Sequence, residues 1–293
     1  MSPLKIRNLT EGFGAEIEGF EFEGEVDDAT HRLLRETFDE RGLLLFRGLR
    51  IDRTAQAHLC ELVINDTAPS LQEVKELAAK QDGFWISNKE PGAAAPFGRL
   101  LYHSDMMWSD DPFLVNSLYG VDVAPPVVPT LFVSAVRAWD KLPDWLRDRV
   151  EKRCALHVTG PEGFDDRRRG ATAGELLNPI RETTLSTTTP VAHRHPRTGR
   201  VMLYVSQGMT KEIVGLPRED SEDLLDELFK HLYRPENEWQ HQWRKGDLII
   251  WDNLAMQHAR PAVSVDGPAR TLRKVCTPIP TVNTNVDSYQ PIG

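Results

Sequence analysis

The apolar residues of this 293-residue chain come in short runs, and that pattern limits the fold more than any other feature. Gly42 to Arg47, Phe84 to Asn88, Thr130 to Val136, Arg200 to Val205, Asp247 to Trp251 and Arg270 to Thr277 are rich in Val, Ile, Leu and aromatics. Gly, Pro or charge bounds each run, as expected of strands. None approaches the roughly 20 apolar residues needed to cross a bilayer. Helical spacing is expected in three places. One helix is capped by Asp27-Asp28, carries Leu33, Leu34 and Phe38, and stops at Gly42. A second starts near Asp140 and runs through Trp145 to Val150, and a third runs from about Glu219 to Leu232. Strands dominate the second half without alternating with helices, which argues against a doubly wound parallel sheet. A mainly β sandwich or barrel decorated by flanking helices fits.

The length suits a single domain over residues 1–293. Between Thr159 and Pro190 periodic apolar positions are scarce and Gly, Thr and Arg common, the composition of a lid or insert. Arg167-Arg168-Arg169 lies beside Asp165-Asp166 and reads as a solvated face. Lys plus Arg is 35 against 44 Asp plus Glu, a net charge of −9 that repels phosphate backbones, so nucleic acid is a poor partner. Three widely spaced cysteines, no secretory h-region and no spanning segment give the expectation of a cytoplasmic protein with reduced thiols and no membrane partner. A homo-oligomer is compatible with all of this.

The residues that could carry chemistry lie at two distant points. In His103-Ser104-Asp105 an extended backbone would put imidazole and carboxylate on one side, their Cα atoms about 7 Å apart, so that one metal ion could sit between their tips. Far along the chain, a turn and buried strand, Gly246 to Asn253, precede a second histidine, His258, with Arg270 twelve positions further. Two neutral imidazoles and one carboxylate leave three positions open on an octahedral Fe(II), enough for a bidentate co-substrate and O2. A buried arginine suits the far end of a dicarboxylate, because its planar fork makes two parallel hydrogen bonds. His193-x-His195 has ligand-like spacing as well and would suggest zinc, but no second ligand cluster accompanies it.

His103-x-Asp105, Gly246-Asp247, Trp251-Asp252-Asn253, Gln257-His258 and Arg270, taken in order, resemble the taurine dioxygenase and 2,4-dichlorophenoxyacetate dioxygenase family. Gly14-Ala15-Glu16-Ile17, His195-Pro196-Arg197-Thr198-Gly199 and the stretch from Pro235 to Trp243 are similar to the same family, so the resemblance spans about Leu4 to Pro278. It implies a double-stranded β-helix (a jelly roll, cupin-like) and an Fe(II)- and 2-oxoglutarate-dependent dioxygenase. By resemblance, His103, Asp105 and His258 would bind iron. Arg270 would clamp the distal carboxylate of 2-oxoglutarate, and Thr130 would place its hydroxyl on the same group. The family often has a Gly-Gly-x-Thr turn where this chain has Val127-Val128-Pro129-Thr130. Lys274 falls where taurine dioxygenase uses an arginine to hold its substrate's sulfonate.

The implied reaction couples oxidative decarboxylation of 2-oxoglutarate to hydroxylation of a small organic substrate, or to the cleavage or desaturation that hydroxylation triggers. Asp105 counts against halogenation, since related halogenases replace that carboxylate with a small residue. If Arg270 points into the barrel, strand period puts Leu272 and Lys274 on its face and Arg273 on the other. Lys274 could then serve an anionic substrate group, or be a solvated edge lysine. Asn88, Arg99 and Tyr102, which precede His103, are candidate substrate contacts. Met106, Met107, Trp108 and Phe113 could line a pocket or fill the core. Two other functions use the same residues: a zinc hydrolase and a non-catalytic jelly-roll binding protein.

Overall fold

The structure, a computed structural model, describes residues 4–67, 69–78, 84–159 and 185–277. In chain order the elements begin with β1 (Lys5–Asn8), β2 (Ala15–Glu18), α1 (Asp28–Arg41), β3 (Leu43–Phe46), α2 (Arg53–Leu62) and α3 (Leu71–Ala78). They continue with β4 (Phe84–Ser87), β5 (Gly98–His103), β6 (Val115–Val123), β7 (Thr130–Ser134), α4 (Ala135–Asp140), α5 (Asp144–Val150) and β8 (Cys154–Val158). After the break come β9 (Ser186–Pro190), β10 (Ala192–Arg194), β11 (Val201–Leu203), β12 (Thr210–Ile213) and α6 (Arg218–Leu232). The last strands are β13 (Glu238–His241), β14 (Leu248–Asp252), β15 (Met256–Val263) and β16 (Arg270–Thr277).

Seven strands form one sheet in the order β1-β2-β3-β14-β6-β16-β4, and β13-β7-β15-β5 form a second. Alternation along each strand sorts the side chains into layers. Leu43 and Leu45 of β3, Ile249 and Trp251 of β14, Leu118 of β6 and Leu272 of β16 meet Phe132 of β7 and Met256 of β15 between the sheets. Their neighbours Leu44, Phe46, Leu248, Ile250 and Val275 point the other way, against Leu34 and Phe38 of α1 and Leu59 and Leu62 of α2. Behind the smaller sheet, Val133 and Ala259 pack on Trp139, Leu146 and Leu228 from α4, α5 and α6. Two sheets, antiparallel except where β2 runs parallel to β3, share a core with helices outside and make a jelly roll, as expected.

Local chemistry sets the boundaries. Asp27 caps α1 by accepting from the N–H groups of Ala29 and Thr30, and Gly42 ends it at φ 69°, a left-handed value that glycine adopts without strain. Of the helix expected from near Asp140 to Val150, Asp144–Val150 is helical; it starts after Pro143, and a separate helix, α4, ends at Asp140. Ser134 ends β7 and caps α4, so the run to Val136 is strand only as far as that serine. Of the segment from 159 to 190 expected as a lid or insert, residues 186–190 form β9, paired with β8. Residues 160–184 lie outside the described residues, the Arg167-Arg168-Arg169 run among them.

Candidate metal and co-substrate site

β5 and β15 run side by side with His103 opposite His258, and the two imidazoles stand 4.2 Å apart between ring centres. His258 points inward against Trp251, at 4.9 Å. β5 ends at His103 and Asp105 opens a turn, so the extended backbone suggested by the His-x-Asp spacing does not run through the aspartate. The turn brings Asp105 Oδ1 to 3.6 Å from His103 Nε2. One ligand atom from each of His103, Asp105 and His258 lies within 4.8 Å of the others, and among the described residues these form the one such cluster.

The turn is held from β14. Asn253 Oδ1 accepts from Asp105 N (2.9 Å) and Asn116 Nδ2 (2.7 Å). Its Nδ2 donates to the carbonyls of Asp105 (2.8 Å) and Phe113 (2.9 Å). Asn116 Nδ2 also donates to Asp105 Oδ2 at 2.7 Å, and Lys274 Nζ reaches the same oxygen at 2.5 Å. Neither Asn116 nor Asn253 had a role in the sequence reading. Asn253 stands inside the Trp-Asp-Asn motif, whereas Asn116 belongs to no motif and sits in a stretch of mixed polar and apolar residues.

Protonation fits metal binding. His103 Nδ1 lies 2.7 Å from the carbonyl of Leu101, which can only accept, so Nδ1 carries a proton and Nε2 is the nitrogen left to a metal when the ring is neutral. Burial, reinforced by His103 nearby, holds His258 well below the ordinary histidine pKa, so that ring is neutral at neutral pH. For Asp105 burial pushes upward, but opposing effects, the ammonium of Lys274 the largest of them, leave the carboxyl well below its ordinary value. Two neutral nitrogens and one anionic oxygen suit Fe(II).

A second receptor lies in the same barrel. Arg270 is buried, with Nε donating to the carbonyl of Val128 and Nη2 to Thr130 Oγ1, each at 2.9 Å. Both partners are neutral. Burial and nearby Arg260 push its pKa down, yet a guanidinium keeps its proton, so this is a buried cation without a counter-ion among the described residues. Trp243 Nε1 also donates to Thr130 Oγ1, at 2.9 Å. With both acceptor positions of that oxygen taken, the threonine hydroxyl is left to donate. A cation lacking an anion and an O–H lacking an acceptor fit one end of a dicarboxylate such as 2-oxoglutarate.

The other candidates are dispersed. Asn88 is spent on structure: Nδ2 donates to the carbonyls of Ser264 and Pro268 at 2.9 Å, and Oδ1 accepts from Arg270 N at 2.9 Å. It staples the β15–β16 loop. Tyr102 stacks on Tyr233 at 4.3 Å and donates to Glu238, on the helix side of the sheet, since one step along β5 reverses the face His103 uses. Arg99 is half-buried on β5. Leu272 and Lys274 do share the inner face with Arg270, while Arg273 turns out to Gln56 and the carbonyl of Ile51. Met107 packs in an apolar cluster with Val136, Met202 and Leu254, with Trp108 at its edge. His193 and His195 do not converge on a metal: His195 Nε2 binds Asp252 Oδ2 at 2.8 Å and His193 lies on Tyr204.

A jelly roll holding two imidazoles, a carboxylate and a carboxylate receptor defines a non-haem iron oxygenase that uses a 2-oxo acid. The chain belongs to the family described as "Taurine catabolism dioxygenase TauD, TfdA family", which it matches over residues 5–276. It is 28% identical over 261 residues to an alkylsulfatase of Acinetobacter baylyi, covering 87% of this chain and 79% of that one. It is also 28% identical over 280 residues to pentalenolactone F synthase of Streptomyces avermitilis, covering 90% of each. The solved structure of AAD-2 in complex with Mn(II) and N-oxalylglycine superposes with a TM-score of 0.73 at 20% identity, covering 96% of this chain and all of that one. As a member of this family, the chain is an Fe(II)- and 2-oxoglutarate-dependent dioxygenase acting on small organic molecules, not a zinc hydrolase. Among the described residues, no helix is long and apolar enough to cross a membrane.

Proposed function

We propose that His103, Asp105 and His258 hold Fe(II), and that Arg270 and Thr130 hold the distal carboxylate of 2-oxoglutarate. The observation that carries the second half is the buried guanidinium whose protein partners are both uncharged. Bound iron supplies O2 activation coupled to decarboxylation of the 2-oxo acid. The residues of this chain position and exclude water: the Asn253 amide fixes the Asp105 turn, the Leu101 carbonyl fixes the His103 tautomer, and Trp251 and Phe132 wall the His258 ring. The outcome is hydroxylation of a small organic substrate, or the cleavage or desaturation that hydroxylation triggers. The relatives named for alkyl sulfates and for a lactone make anionic and neutral candidates equally worth including. Net charge and reduced thiols favour a cytoplasmic enzyme that does not bind nucleic acid, built as a single oxygenase domain.

The test is direct. Anaerobic Fe(II) and 2-oxoglutarate added to the apoprotein should give a weak visible charge-transfer band. Under air, succinate release should rise above a metal-free control with at least one of a panel of sulfonates, alkyl sulfates, aryloxyacids, amino acids and lactones. Absence of the band would overturn the site reading. A band without succinate would favour a jelly roll that binds but does not turn over.

A further inference from the structure

We propose that Lys274 clamps the iron-ligating carboxylate and does not anchor an anionic group of the substrate. This rests on Asp105 being a metal ligand. The two oxygens of Asp105 have different surroundings. Oδ1 faces His103 Nε2 at 3.6 Å, on the side where the ligand cluster converges. Oδ2 takes the Lys274 ammonium at 2.5 Å and the Asn116 amide at 2.7 Å. The pair is nearly closed to solvent, with side-chain exposures of 11% for the lysine and 12% for the aspartate, and the ammonium lies 5.6 Å from the ring centre of Phe84.

Two consequences follow. With Oδ2 occupied by two donors, Asp105 offers a metal one oxygen, so the carboxylate takes one coordination position and leaves the others for co-substrate and O2. The ammonium's charge is already balanced by a buried carboxylate, so a substrate anion could claim it only by stripping a charge-assisted hydrogen bond from a water-poor site. Position 274 therefore tunes the metal site: its ammonium competes with the metal for the charge of Asp105 and pins the carboxylate's orientation.

The experiment measures Mn2+ binding to the full-length apoprotein, by calorimetry, with no 2-oxoglutarate and no substrate present, alongside thermal melts with and without Mn2+. In Lys274→Met the buried carboxylate loses its cation. The metal-free protein should melt at lower temperature, Mn2+ should bind about tenfold more tightly, and Mn2+ should raise the melting temperature by more than it does in the wild type. Lys274→Arg, which keeps the charge, should bind Mn2+ within about threefold of wild type. If Lys274→Met does not fold, Lys274→Gln is judged by the same criterion. Mn2+ affinity in the uncharged variant that is unchanged or weaker overturns the clamp. Wild-type protein that takes up no Mn2+ would bring down the ligand assignment itself, and the clamp with it.

Discussion

Replacing Arg270 by alanine separates a co-substrate receptor from a structural arginine, because the two roles move different measurements in opposite directions. The guanidinium is buried and, among the described residues, makes two hydrogen bonds, both to uncharged oxygens, so two of its five N–H groups are used there. Without ligand its charge is a burden, since a buried cation lacking a counter-ion is costly. Removing it forfeits those two bonds but also that burden, so the apoprotein should lose no more than about 1–2 kcal/mol. With 2-oxoglutarate bound the situation reverses. Truncating one partner of a buried, hydrogen-bonded charge pair costs about 2–5 kcal/mol. That corresponds to roughly 30- to several-thousand-fold in Kd. Arg270→Lys keeps the charge but not the planar fork and should fall between, about tenfold weaker than wild type. The assay is anaerobic titration of 2-oxoglutarate into the Fe(II) protein, followed by the charge-transfer band, with Mn2+ affinity measured separately and expected to hold within about twofold. An alanine variant that binds 2-oxoglutarate within about threefold of wild type, while its apoprotein loses several kcal/mol of stability, would make Arg270 structural and refute the assignment.

Three other perturbations check neighbouring claims. Asn253→Ala removes the acceptor of Asp105 N and the donor to the Asp105 carbonyl, and should weaken Mn2+ binding by about 10- to 100-fold with Asp105 itself untouched. Calorimetry showing wild-type affinity would mean the turn holds without it. Tyr102→Phe loses the bond to Glu238 on the helix side of the smaller sheet. It should cost about 1–3 kcal/mol in urea unfolding and leave Mn2+ affinity and the KM for substrate unchanged, and a raised KM would return Tyr102 to the substrate pocket. The third is pH dependence from His157, buried between Thr210 and Thr189, whose pKa burial lowers from 6.5 to about 3. Between those values the unfolded chain binds a proton that the folded chain refuses, so stability rises with pH through this window and falls as pH drops below 6.5. His157 alone should remove about 2 kcal/mol between pH 6.5 and 5, and His157→Gln should flatten that part of the urea-midpoint profile. An unaltered slope in the variant would show that the loss arises elsewhere.

The sequence exposes the parts of this site that depend on residue type and order, and hides those that depend on which way a short polar side chain turns. His103, Asp105 and His258 are legible because ligand chemistry restricts their identities, and Arg270 because few residues bind a carboxylate through two parallel bonds. Of the strands that carry the site, β7 with Thr130 and β16 with Arg270 are legible as apolar runs, whereas β5 with His103 and β15 with His258 are not. β6, at nine residues the longest strand among the described residues, is not legible as an apolar run, because Asn116, Ser117, Gly120 and Asp122 interrupt its pattern. Two of those interruptions are functional in the fold: Asn116 reaches Asp105, and Ser117 bonds Gln56 of α2 on the opposite face. Helix α2 was missed for a similar reason, since its buried face includes Gln56 and His58 beside Ala55, Leu59 and Leu62. Nearness to His103 in sequence says nothing about which face of a strand a side chain occupies, and Tyr102 lies on the face opposite His103.

The Asp252-Asn253 pair shows how the fold converts a strand end into metal-site geometry. Asp252 closes β14; its Oδ1 accepts from the N–H groups of Leu254 (3.0 Å) and Ala255 (2.9 Å), which shapes the turn into β15. Its Oδ2 is held by His195 at 2.8 Å and Arg197 at 2.9 Å. Burial alone would raise the carboxyl's pKa, but His195, the Ala255 N–H and Arg197 together keep it below the ordinary value and charged. That turn sets the register in which His258 faces His103 across β15 and β5. The next residue, Asn253, turns the opposite way and fixes Asp105. One dipeptide therefore constrains two of the three ligands, one through strand register and one through a side-chain amide. Histidine at 195 is then explained without any metal of its own: it supplies a donor to a buried carboxylate whose displacement would shift the turn. Ligands drawn from sequence positions more than 150 residues apart keep a common geometry because both meet at this turn.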